Sequence, residues 1–98
     1  MNKYQVSITF PSYLDQDFMA KIPQHRAYIS KLIQSEVIDS YAISLERSKG
    51  WIVINADSES NVHEYLSKSP LYRYFNIEID PLMVYDSRMY RFPKLALN

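Results

Sequence analysis

Cysteine is absent from this 98-residue chain, which removes disulfide staples, thiolate nucleophiles and thiolate metal ligands together. Histidine is scarce, and His25 and His63 stand too far apart in sequence to suggest a zinc site. Net charge is missing as well: eleven basic and eleven acidic side chains cancel, so no overall field draws in a phosphate backbone or an anionic lipid surface. No apolar run approaches the ~18 residues of a membrane span. The N-terminal Met1-Asn2-Lys3-Tyr4 leads straight into alternating sequence, with no signal-peptide pattern. The expectations are a cytoplasmic protein with no metal, no nucleic acid and no membrane partner. Glycine occurs once, at Gly50.

What is present suits one small domain. A hydrophobic content of 47% is ordinary for a chain folding around a single core, and at this length the core is thin, so burial through self-association would add to stability. Tyr4, Val6, Ile8 and Phe10 alternate with Gln5, Ser7 and Thr9, a period of two that predicts a strand with one apolar face. Beyond Pro11 the spacing changes. Phe18, Ile22, His25, Ile29 and Leu32 recur at intervals of four, three, four and three, which predicts a helix over about 15–35, with Pro23 either kinking it or standing in the first turn of a restart after a short leading turn.

Ile38 to Arg47 alternates again, with Tyr41, Ile43 and Leu45 on one face, and Trp51 to Ala56 is rich in strand formers. Ser48-Lys49-Gly50 between them reads as a hairpin loop in which the lone glycine supplies a positive φ. Asp57 and Ser58 offer capping oxygens ahead of Val62, Tyr65 and Leu66, a short second helix that Pro70 ends. A last strand over about 74–80 puts Phe75, Ile77 and Ile79 on one face. The order β-α-β-β-α-β is the ferredoxin-like α+β arrangement, a four-stranded antiparallel sheet with two helices on one face. The other face, mixed in character, calls for a cover such as a second sheet. Residues 1–82 form the domain, and 83–98, carrying Tyr85, Arg88, Tyr90, Arg91, Phe92 and Lys94, reads as an arm that packs on a neighbouring subunit.

One signature misleads. Lys49-Gly50-Trp51-Ile52-Val53-Ile54 opens like an RNA-recognition motif on the third strand of this order. That motif needs aromatics where Val53 and Ala56 stand, and a basic open sheet, which a neutral chain does not offer.

With the elements in order, the sequence resembles the muconolactone isomerase family of the dimeric α+β barrel superfamily over nearly its whole length. The likeness rests on Val6-Ser7-Ile8-Thr9-Phe10-Pro11, on Lys31-Leu32, and above all on Leu66 with Pro70-Leu71-Tyr72, Tyr74 and Ile77-Glu78-Ile79-Asp80. His25-Arg26-Ala27-Tyr28-Ile29 with Leu32 is similar to the YCII-related branch, in which a helical histidine three residues before an aromatic is the suspected catalytic group. The chain differs from the isomerase pattern at Gln24-His25, where acidic residues are usual, and at Ile38-Asp39, where a Trp-Arg pair is usual. The resemblance implies a homodimer, with a decamer of barrel dimers as the upper bound, acting without cofactor on a small-molecule ligand. It implies proton transfer on an unsaturated lactone or related small acid. A non-catalytic ligand-binding or assembly module, and a cofactor-free monooxygenase, are the alternatives on the same fold.

Such a reaction needs a base titrating near neutrality and groups to hold an oxyanion and a carboxylate. His25 is the candidate base, since it shares the core-facing stripe of the helix with Ile22 and Ile29; a buried histidine satisfied by hydrogen bonds is the structural alternative. Tyr41 is the polar-tipped group on an otherwise aliphatic strand face, and Tyr72 and Arg73 stand at the helix-to-strand junction where a cleft would open, Arg73 suited to a carboxylate. These three are the candidate substrate-binding residues, each with a packing or surface role as its alternative. His63, beside Glu64, reads as a surface residue.

Overall fold

A computed structural model describes residues 2–88. The chain runs β1 (Asn2–Thr9), α1 (Gln16–Gln34), β2 (Ile38–Ile43), β3 (Lys49–Ala56), α2 (Glu59–Ser67), a 3-10 turn (Tyr72–Tyr74) and β4 (Asn76–Pro81). The strands form one antiparallel sheet in the order β2-β3-β1-β4, which is the ferredoxin-like α+β fold expected from the pattern.

Register explains why one face is apolar. Val6 stands opposite Ile52 on one side and Ile79 on the other; Tyr4 faces Ile54, and Ile8 faces Ile77. Because side chains alternate across a strand, all of these point the same way. Ile29 and Leu32 of α1 and Val62 and Leu66 of α2 close over them in one core, so both helices share a face of the sheet. Each fully buried aliphatic here contributes about 1.5–3 kcal/mol relative to exposure.

Caps fix the helix ends. The Asp15 carboxylate accepts from the Phe18 amide at 2.8 Å, and the Ser58 hydroxyl from the Asn61 amide at 3.1 Å. At the far end of α1 the Val37 amide donates to the Leu32 carbonyl at 2.9 Å and Glu36 to Ile33 at 3.0 Å, a Schellman stop in which Glu36 takes φ of 65°. Pro23 sits inside α1, which runs through it as a single helix rather than restarting there.

Two local expectations are corrected. Gly50 lies in β3 without a positive φ, and the left-handed residue of the hairpin is Arg47, at φ 63°. Gly50 marks a close approach instead: a Cβ there would stand 2.9 Å from Ile43 Cδ1 and 3.5 Å from Phe10 Cε2, so a larger residue would have to displace the tip of Ile43. Leu45, expected to share the Tyr41 face, is 99% exposed, because β2 stops at Ile43 and a five-residue loop follows in which the Ser44 hydroxyl accepts from the Ser48 and Lys49 amides.

After β4 the Leu82 amide still donates to the Lys3 carbonyl at 2.9 Å, and Lys3 Nζ lies 5.2 Å from the Tyr85 ring centre. Most of the arm expected over 83–98, including Tyr90, Arg91, Phe92 and Lys94, lies outside the described residues. Among those described, no helix is long and apolar enough to cross a membrane.

Candidate functional site

His25 falls on the inward stripe of α1, and the residue is 3% exposed. Phe75 meets it edge-on at 5.7 Å between centroids. Its two nitrogens are both engaged: Nδ1 lies 2.6 Å from Ser69 Oγ, and Nε2 lies 2.9 Å from the Tyr41 hydroxyl. Three separate elements therefore converge on one imidazole. Helix α1 supplies the ring, β2 supplies Tyr41, and the turn after α2 supplies Ser69, whose hydroxyl also accepts from the Leu71 amide at 3.1 Å.

Beside Tyr41 a cavity of about 390 Å³ opens between α1 and the β2–β3 hairpin. Phe10, Leu14, Phe18, Met19, Ile22, Ile43 and Leu71 make its wall mainly apolar, while His25 and Tyr41 present polar atoms. Phe10 packs edge-on against Phe18 and Phe75 at 6.1 and 5.7 Å, and Phe18 against Tyr74 at 5.0 Å, giving the wall a rigid aromatic backing. Two cations, Arg26 and Arg47, complete the lining. Neither has a carboxylate partner among the described residues.

Burial sets the charge state. Taking His25 out of water disfavours its cation, and the Arg26 charge beside it adds to that, so its pKa falls from 6.5 to about 4. The ring is neutral at pH 7. Burial pushes Tyr41 the other way, above its usual value, with Arg26 pulling partly back. A neutral imidazole behind a protonated phenol is therefore the resting state.

The structure brings two of the four sequence candidates together, His25 and Tyr41. The other two lie outside the cavity lining. Tyr72 packs half-buried against the core, its hydroxyl 3.0 Å from His63 Nδ1. Arg73 is held by Asp17 at 2.6 Å and by the Tyr74 hydroxyl at 2.8 Å, and that carboxylate also takes Lys21. An arginine so engaged is a surface clasp between α1 and the 3-10 turn. The residues that sequence reasoning passed over are Ser69, Arg26 and Arg47. Arg26 had a signal, as His25's neighbour on the helix, whereas Ser69 and Arg47 arrive only through folding. Among the described residues no three His, Asp or Glu side chains come together that could hold a metal ion.

Residues 3–88 match the family model of muconolactone delta-isomerase. A crystal structure of muconolactone isomerase superposes with a TM-score of 0.70 at 19% identity, over 89% of this chain and 94% of that one. The 5-chloro-2-hydroxyhydroquinone dehydrochlorinase TftG of Burkholderia phenoliruptrix AC1100, solved with 2,5-dihydroxybenzoquinone, gives 0.68 at 13% identity, over 90% and 97% of the two chains. At these identities the two structures speak for the fold. No curated protein sequence matches the chain.

Proposed function

We infer the function of this chain from one premise: it belongs to the muconolactone delta-isomerase family. The reading we propose is a cofactor-free enzyme that moves a proton on a small unsaturated acid or lactone through an enolate. One observation carries it, the hydrogen-bonded His25–Tyr41 pair at the wall of a mainly apolar cavity. Removing a proton beside a carbonyl builds negative charge on oxygen, and a preorganised donor in a water-poor site stabilises that charge most. The pair supplies such a donor in the Tyr41 hydroxyl; His25, whose two nitrogens are taken up by Ser69 and Tyr41, acts through that hydroxyl, and water carries the proton from one carbon of the ligand to the other. Arg26 and Arg47 are suited to the carboxylate of the same ligand, the role first assigned to Arg73.

Self-association belongs to the same reading: a homodimer closing sheet on sheet, with the segment from residue 83 onward packing on the neighbour. Its support is the exposed Trp51 on the sheet face away from the helices.

The test is deuterium uptake from D2O into muconolactone, followed by proton NMR. Wild type should exchange, and Tyr41→Phe and His25→Ala should slow exchange by about 100-fold or more. Equal rates in all three proteins would sink the enzymatic reading. Saturable binding without exchange would instead mark a ligand-binding module.

A further inference from the structure

We propose that Ser69 is a positioning residue that fixes the direction of the hydrogen-bond chain Ser69–His25–Tyr41, so that the Tyr41 hydroxyl donates into the cavity. The inference rests on the proposed function in taking the cavity as a ligand site. Its core is proton counting among buried atoms.

Ser69 is 5% exposed, and its oxygen already accepts from the Leu71 amide. Its own hydrogen needs an acceptor, and among the described residues the one within reach is His25 Nδ1, at 2.6 Å. A hydroxyl that donates to Nδ1 leaves the single ring proton of a neutral imidazole on Nε2. Nε2–H then points at the Tyr41 oxygen, 2.9 Å away. Tyr41, accepting from the ring, keeps its hydrogen for the cavity.

The opposite direction fails the same count. With the ring proton on Nδ1, Ser69 would accept twice, from His25 and from Leu71, and its hydrogen would be buried without a partner, an arrangement folded proteins avoid. Tyr41 would then spend its hydrogen on Nε2 and offer the cavity only lone pairs. The direction of this chain therefore decides which ligands the site favours: those that put an acceptor oxygen, a carbonyl or an enolate, against Tyr41. His25 serves as the donor that holds the phenol oxygen and lets it lend its own proton.

Long-range nitrogen-15 NMR of the imidazole ring tests this directly at pH 7. Wild type should show the Nε2–H tautomer, Tyr41→Phe should keep it, and Ser69→Ala should move the ring toward Nδ1–H or a mixture. An Nδ1–H ring in wild type, or an unchanged tautomer in Ser69→Ala, would overturn the proposal. If Ser69→Ala does not fold, the wild-type and Tyr41→Phe spectra still decide it. A binding arm reads the consequence. 4-Oxocyclohexanecarboxylate should bind wild type about threefold to tenfold more tightly than cyclohexanecarboxylate, the worth of one neutral hydrogen bond. That preference should vanish in Tyr41→Phe and shrink in Ser69→Ala; a preference untouched by both substitutions would also overturn the proposal. Failure of both acids to bind, with the Nε2–H tautomer present, would count against the proposed function and leave the direction of the chain standing.

Discussion

His25 couples the site to stability through its protonation. Its pKa is about 4 in the folded protein against 6.5 for the free side chain, so between those values the unfolded chain binds a proton that the native one refuses. Stability from this group is fully present above pH 6.5 and is lost as the pH falls toward 4, at about 1.4 kcal/mol per unit and no more than roughly 3 kcal/mol in all. Urea melts at pH 7, 6 and 5 should show that decline, and His25→Gln should flatten it; a parallel slope in the variant would remove His25 as the cause. Arg47 makes a second residue-scale case. A non-glycine residue at φ 63° costs about 1–2 kcal/mol, and its side chain lines the cavity. Arg47→Gly should therefore stabilise the fold by about 0.5–1 kcal/mol once glycine's extra unfolded entropy is set against the relief, while weakening binding of cyclohexanecarboxylate. Calorimetry of both quantities would expose the trade, and a stabilised variant with unchanged affinity would deny Arg47 a role. His25 and Tyr41 could be picked from the sequence because each is a polar tip on an apolar stripe. Ser69 and Arg47 could not, since they reach the site through the turn after α2 and the hairpin loop, and no periodicity reports where a loop residue lands.

At the scale of elements, strong periodicity made α1 and β1 readable and a run of strand formers did the same for β3, and the errors sit where side chains compete with pattern. Leu45 continues the alternation of β2 on paper, yet the Ser44 hydroxyl captures two amides and turns the chain before Leu45 can join the sheet. Gly50 was legible as special but for a different reason, because a lone glycine signals either a left-handed turn or a close approach, and only the packing of Ile43 and Phe10 decides between them. The Schellman end of α1 offers a control for Arg47. Glu36 has nearly the same φ, 65°, at the position after the helix cap where glycine is commonest, and it is not among the cavity-lining residues. Glu36→Gly should raise stability by about 1 kcal/mol or less with ligand affinity unmoved. Thermal melts and titration calorimetry would check the pair, and a loss of stability would mean that the Glu36 side chain contributes more than its backbone costs.

For the whole molecule the surface that bears on assembly is the sheet face turned away from the helices. Across it Ser7 stands beside Trp51 and Glu78, Gln5 beside Val53 and Asp80, and Ala42 beside Trp51. Trp51 is 38% exposed there, and Val53, though only 7% exposed, lies outside the main core. Four strands at ~4.8 Å spacing and six to eight residues in length cover roughly 450 Å² in projection. With side-chain relief that approaches the ~800 Å² that each partner commonly buries in a stable interface. A thin core beneath one face makes closure of the other valuable. Size-exclusion chromatography with light scattering should therefore return a dimer or a multiple of it at micromolar protein. Trp51→Glu, which sets a charge in the middle of that face, should shift the population to monomer and lower the melting temperature. Far-ultraviolet dichroism of the variant separates lost association from lost fold, since Trp51 points away from the core that both helices build. A wild-type chain that remains monomeric at high concentration would overturn the sheet-on-sheet assembly while leaving the His25–Tyr41 site, which is built within one chain, to be judged on its own tests.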